Sequence, residues 1–131
     1  MPDVFRCPAS GEEIGLADYV VIIGDPDQFP QTMFTADRGT QFHDVRDGTT
    51  QTIMVAEVGY GVPWTVPNGD LKFDQMTFRI NSGPASISSH HPGIAQILLA
   101  DGSVRQVENG LDRQTIRNLI QPADGGVVGE Y

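Results

Sequence analysis

The stretch Ser88–Val107, SSHHPGIAQILLADGSVRQV, packs two histidines, a Pro-Gly, an apolar run and an Asp-Gly into one segment. It can be read as an active site pairing His91 with Asp101, or as the punctuation of a fold. The runs either side of Asp101-Gly102 match two strands around a pair strongly preferred in two-residue type I′ hairpins. With that turn Leu99 lies opposite Val104, Ile97 opposite Gln106 and Ile94 opposite Asn109. Ala95, Ile97, Leu99 and Val104 then share the buried face. A strand over 94–100, at ~3.4 Å per residue, holds His91 and Asp101 roughly 20 Å or more apart. A His–carboxylate pair needs about 2.6–3.2 Å, so the two cannot be a dyad. The same pairing returns residues 109–112 to the base of the hairpin. One histidine is therefore expected to hydrogen-bond Asp112 or a backbone carbonyl there, in a structural role.

Beyond the hairpin, LDRQTIRNLIQP is the best helix in the sequence. Asp112 is a good N-cap, Leu111 can staple onto Ile116, and Ile116, Leu119 and Ile120 form an apolar stripe. Pro122 ends it, and the Gly-rich tail ADGGVVGEY is expected at the surface or frayed. Towards the N-terminus, Met1 to Glu13 reads as an irregular lead-in and Tyr19 to Ile23 as a short buried strand. Residues 26–48 look like a long surface excursion. Asp47 and Thr49 suit the cap of a short helical turn, and Ile53, Met54, Val55 and Val58 a core strand. A helix remains the alternative there, because Thr, Ile and Val lower helix propensity only modestly. GVPWTVPNGDLKFD reads as an ordered loop anchored by Trp64, and Met76 to Ile80 as a strand. These pieces make one α+β domain, 1–131: an antiparallel sheet with short helices, a C-terminal hairpin and a short terminal helix.

Composition limits the function classes. With 131 residues, 39% apolar and 19% charged, the chain can bury a core of its own. Fifteen glycines and nine prolines favour turns and strands over long helices. Seventeen acidic residues against eight basic ones give a net charge of −9. Such a chain repels phosphate backbones and anionic membranes, so neither nucleic acid nor membrane is an expected partner. No apolar run approaches the ~18 residues of a spanning helix. Cys7 is the single cysteine; no intrachain disulfide can form, and a small buried side chain is expected rather than a reactive thiol.

The remaining chemistry is sparse. His43, His90 and His91 are metal-ligand types, but adjacent histidines alternate faces in an extended chain, and no H-x-x-x-H or C-x-x-C spacing occurs. Asp25, Asp27, Asp44 and Asp47 sit in turns that present oxygens and are the calcium candidates, although none matches an EF-hand loop. GPASISSHH contains serines without a nucleophile elbow, and no glycine-rich phosphate cradle is present. No enzymatic activity and no cofactor are expected.

Several segments together resemble a known family. FRCPAS, ADYV, VRDGTTQTIMVAE, VPWTVPNGDLKFD and HPGIAQILLADGSVR are similar to the globular part of the H-x9-DG, pseudopilin-like family of planctomycete type, domain of unknown function 1559. His91, Pro92 and Gly93 with Asp101-Gly102 have its His-to-Asp spacing. Asp47, Gly48, Thr49, Thr52, Ile53, Val55 and Glu57 follow one of its strings, and Pro63, Trp64, Thr65 and Pro67 another. The resemblance runs from Phe5 to about Ile120. It implies a pseudopilin-like head displayed outside the cytoplasmic membrane, in the manner of type II secretion, with no enzymatic activity. Full-length members begin with a prepilin cleavage site and an apolar helix. This chain carries neither, so filament assembly by that route is not expected of it; it reads as a truncated form or a short natural member. Gln106 stands where the family usually has an apolar residue, which implies an exposed or partner-facing hairpin edge.

The expected function is a structural or interaction domain whose partners are other protein subunits. Two alternatives belong to other classes. One is a small carbohydrate- or peptide-binding module around Trp64. The other is a metal-dependent hydrolase using His90 and His91 with nearby carboxylates.

Overall fold

The computed structural model describes residues 1–11 and 14–131. Four strands form the main sheet: β1 (Leu16–Val20), β3 (Ile53–Pro63), β5 (Ile94–Leu99) and β6 (Val104–Glu108), in the order β1-β3-β5-β6 with antiparallel neighbours. A two-stranded parallel pair, β2 (Ile22–Ile23) with β4 (Leu71–Lys72), sits beside it. Short 3-10 turns and one α-helix, α1 (Arg113–Ile120), complete the described elements. The architecture is α+β, as the sequence leads one to expect. No helix among the described residues is long and apolar enough to cross a membrane.

One face of the sheet holds the main core. Ala56, Val58, Ala95, Ile97, Leu99 and Val107 pack with Ile116, Leu119 and Ile120 of α1. Phe73 and Phe78 join this core edge-to-face at 5.2 Å. Asp112 caps α1 by accepting the Thr115 N–H, and the apolar stripe falls where its spacing puts it.

The hairpin exists, but its register differs by one from the I′ expectation. Leu98 pairs with Val104, Ala95 with Val107 and Ile94 with Glu108. The Gly102 N–H bonds the Leu99 carbonyl, the Leu99 N–H bonds Ser103, and Gly102 has φ +87°. This is the three-residue loop in which a type I turn ends on a left-handed glycine. Because side chains alternate with period two, the shift moves Val104 out of the core, to 64% exposure, and places Val107 in it. Ala100 fixes the choice: it is buried against Met33 and Val45, and its N–H bonds the Thr52 carbonyl.

Three other expectations need correction, and the C-terminal tail lies largely at the surface, as one of its two expected states, without being frayed. The strand expected over Tyr19–Ile23 is broken at Val21, whose N–H bonds Asp70 instead of a neighbouring strand. Met76–Ile80 is not a strand. Met76, Phe78 and Ile80 are buried alternately, but the segment's backbone bonds are local, such as Arg79 N–H to Thr77 and Thr77 N–H to Ala85. Trp64 is 48% exposed and plugs no core; its backbone N–H is tied to the Gly15 carbonyl. The tail is docked. Val128 is buried, Asn118 donates to the Val127 carbonyl, and the Asp47 carboxylate accepts the N–H groups of Asp124 and Gly125.

The register can be measured. Val107→Ala removes a core side chain and is expected to cost about 1.5–3 kcal/mol in urea unfolding, whereas Val104→Ala should stay within about 0.5 kcal/mol. The opposite ranking would place the hairpin in the two-residue register.

Candidate functional site

β3 is buried on both faces where Ala56, Glu57 and Val58 follow one another. Side chains alternate along a strand, so Glu57 points away from the core that receives Ala56 and Val58. Its carboxylate is fully buried. One oxygen, Oε2, accepts the Gln96 N–H of β5 at 2.9 Å. The other, Oε1, has no hydrogen-bond partner among the described residues.

Cys7 and His91 approach that oxygen from two chain segments, with Asp18 and His90 beside them. The register between β1 and β3 slips between Ala17 and Tyr19, and Asp18 sits at the slip with a fully buried side chain. Asp18 Oδ2 accepts the Cys7 N–H at 2.7 Å, which draws the lead-in segment against the sheet. Cys7 is thereby fully buried, with Sγ 3.2 Å from His91 Nε2. His91 Nε2 is also 3.9 Å from Glu57 Oε1, and the neighbouring His90 Nε2 is 3.8 Å from Asp18 Oδ1. Asp18 Oδ1 and His90 Nε2 are both buried without a hydrogen-bond partner among the described residues. Cys7 Sγ, Glu57 and His91 each bring a ligand atom within 4.8 Å of the other two.

Local backbone explains how two adjacent histidines face one cluster. Residues 90–93 form a bend and turn, not an extended strand, so the alternation expected of His90 and His91 does not apply. The Ser89 hydroxyl ties the turn by accepting the His91 N–H and donating to the Ile94 carbonyl. Gly59 lets the turn approach β3: a Cβ there would stand 3.0 Å from the Ser89 carbonyl oxygen. His90 and His91 also border a surface hollow of about 430 Å³ with Asn81, Ser88 and Asn109, which gives the cluster a face towards solvent.

Burial, followed by the nearby Glu57 and Asp18 carboxylates, pushes the Cys7 thiol up from its ordinary pKa. Burial and the same negative groups push Tyr19 up to about 12. Both shifts have the same leading cause, burial, which disfavours the charged form, and the buried carboxylates nearby add to it.

The structure relocates the histidine contact expected at Asp112. The imidazoles face Asp18, Cys7 and Glu57, while Asp112 caps α1. The hairpin base is held instead by Asn81, which donates to the Ile94 carbonyl and to Asn109 Oδ1, and by the Asn109 N–H on the Gly93 carbonyl. Asp101 sits at the far tip of β5, accepting from the Ser103 N–H and hydroxyl, so it makes no pair with His91. The calcium candidates do not converge. Asp25 caps a 3-10 turn, Asp27 donates its N–H to that cap, Asp44 lies beside exposed His43, and Asp47 holds the tail. Trp64 lines a separate shallow hollow with Phe5, Tyr19 and Val66. Gly48 has a positive φ, and Pro92 with Gly93 makes the turn into β5.

Sequence reading missed Asp18 and Glu57. The available signal was a glutamate within the otherwise apolar strand IMVAEVGY; the slipped register that buries Asp18 is visible only in the structure. Cys7, Asp18, Glu57 and His91 all lie within the segments that carry the family resemblance.

A raised thiol pKa has a measurable consequence. Less thiolate is present at any given pH, and full burial blocks access. Alkylation of metal-free protein by iodoacetamide at pH 8 is expected to run at least about tenfold slower than for a peptide thiol. Its rate should keep climbing above the ordinary thiol range of about 8.5. Rapid labelling with an inflection below pH 8 would contradict this electrostatic description.

Comparison with known proteins gives one family match: the model described as "Protein of unknown function (DUF1559)" matches residues 17–78. No curated protein and no solved structure matches the chain.

Proposed function

We propose that the chain, whose residues 17–78 match the DUF1559 family model, is a non-enzymatic interaction domain, the globular head of a pseudopilin-like envelope protein. The observation that carries this reading is an apolar strip on the outer face of the sheet. Val55, Leu98 and exposed Val104 line a hollow of about 390 Å³ with Val4, Phe5 and Tyr19. Phe5 and Tyr19 also line the neighbouring hollow that ends at Trp64 and Val66. The two hollows share residues and so form one band from Val104 to Val66. Contiguous exposed apolar surface of this kind marks a protein-docking face, and a band along strands fits the apolar side of a helix.

The occupant we assign is the apolar helix of a pilin-like subunit. Trp64 then serves as one end of a docking band and not as an isolated ligand shelf. The acidic balance of the chain agrees with a protein partner and argues against nucleic acid or anionic lipid.

Photo-cross-linkers placed at Val104 and Val66 in the native host test this reading, with a cross-linker at exposed Asp74 as control. The expected result is co-fractionation with the envelope and cross-links, mapped by mass spectrometry, to the N-terminal helix of a pilin-like subunit. A soluble cytoplasmic protein, or cross-links no different from those at Asp74, would refute it.

A further inference from the structure

The buried cluster beneath β3 is independent of the docking band and has a chemistry of its own. We propose that Cys7 Sγ, Glu57 Oε1 and His91 Nε2 form a binding site for a borderline-soft divalent cation of the Zn²⁺ type.

The first argument is convergence. Zn–ligand bonds of about 2.0–2.3 Å at tetrahedral angles set neighbouring ligand atoms about 3.3–3.6 Å apart. The Sγ···Nε2 and Nε2···Oε1 separations of 3.2 and 3.9 Å bracket that range, and all three atoms lie within 4.8 Å of one another. A Cys–His–Glu nucleophile would be built differently. There the thiol and the carboxylate address opposite ring nitrogens, so that one takes the proton while the other orients the ring. Here both address Nε2.

The second argument is charge. Glu57 is fully buried, anchored through Oε2, and its Oε1 has no hydrogen-bond partner among the described residues. An unpaired buried carboxylate oxygen is costly. On binding, the cation displaces the Cys7 thiol proton to solvent and forms a metal–thiolate bond. The ligands are then one thiolate, one carboxylate and one neutral imidazole, whose two negative charges offset those of the dication. The supporting groups are already placed. Asp18 Oδ2 fixes the Cys7 backbone at 2.7 Å and Gln96 fixes Glu57, the outer contacts that orient metal ligands. A thiolate and an imidazole select zinc-type ions over calcium, which takes oxygen ligands.

The ligands come from the lead-in segment, β3 and the turn before β5, so the cation would tie three remote parts of the chain together. The test is a titration of untagged, metal-stripped protein with Zn²⁺ by calorimetry and with Co²⁺ by absorption spectroscopy. One Zn²⁺ per chain is expected, with a near-ultraviolet thiolate-to-cobalt charge-transfer band and a higher melting temperature; Ca²⁺ should leave that temperature unchanged. Cys7→Ser should abolish the band, and His91→Asn, at a half-exposed position, should weaken Zn²⁺ binding at least tenfold. His43→Asn, outside the cluster, should bind as the unaltered chain does. Circular dichroism of each metal-free variant separates lost ligation from lost folding. Absence of one-to-one binding, or binding undiminished in folded Cys7→Ser and His91→Asn proteins, would overturn the proposal.

Discussion

A carboxylate turned away from the core at the middle of a sheet has to be answered by whatever covers that face, and Glu57 imposes this requirement on the fold. Burying an anion without compensation costs several kcal/mol. The covering segments therefore have to bring polar groups with them. The Gln96 N–H answers one oxygen, and the lead-in segment and histidine turn bring Cys7 and His91 to the other. Asp18, equally buried, ties the lead-in down through the Cys7 N–H. The positions of residues 3–7 and 88–93 thus follow from β3 as much as from their own sequences.

The two faces of the sheet are consequently unlike. The inner face is an ordinary apolar core closed by α1 and the Phe73–Phe78 pair. The outer face is divided between the polar cluster and the apolar band from Val104 to Val66, which meet at the lead-in segment carrying Phe5 and Cys7.

Much of the scaffold was legible because its signals are local. Asp112, the Ile116–Leu119–Ile120 stripe and Pro122 specify α1 within one stretch of chain. The hairpin was legible, but its register was not. Asp-Gly fits either a two-residue I′ turn or a three-residue loop with a left-handed glycine. The choice was made by Ala100 packing on Met33 and Val45, contacts from a distant segment. Met76–Ile80 misled for a related reason: alternating burial can come from packing against the core without any partner strand. The cluster was illegible as a unit because its ligand types arrive singly from positions 7, 18, 57 and 90–91. Two of them, His90 and His91, share a direction only because the chain bends there.

The account rests on the cluster being a place where charge is gathered for a cation. Anomalous diffraction at the zinc edge, from crystals of the zinc-loaded chain, tests that most directly. The account predicts a single strong peak bonded to Cys7 Sγ, Glu57 Oε1 and His91 Nε2. A peak only at surface groups such as His43 and Asp44, or no peak at Cys7, would contradict it.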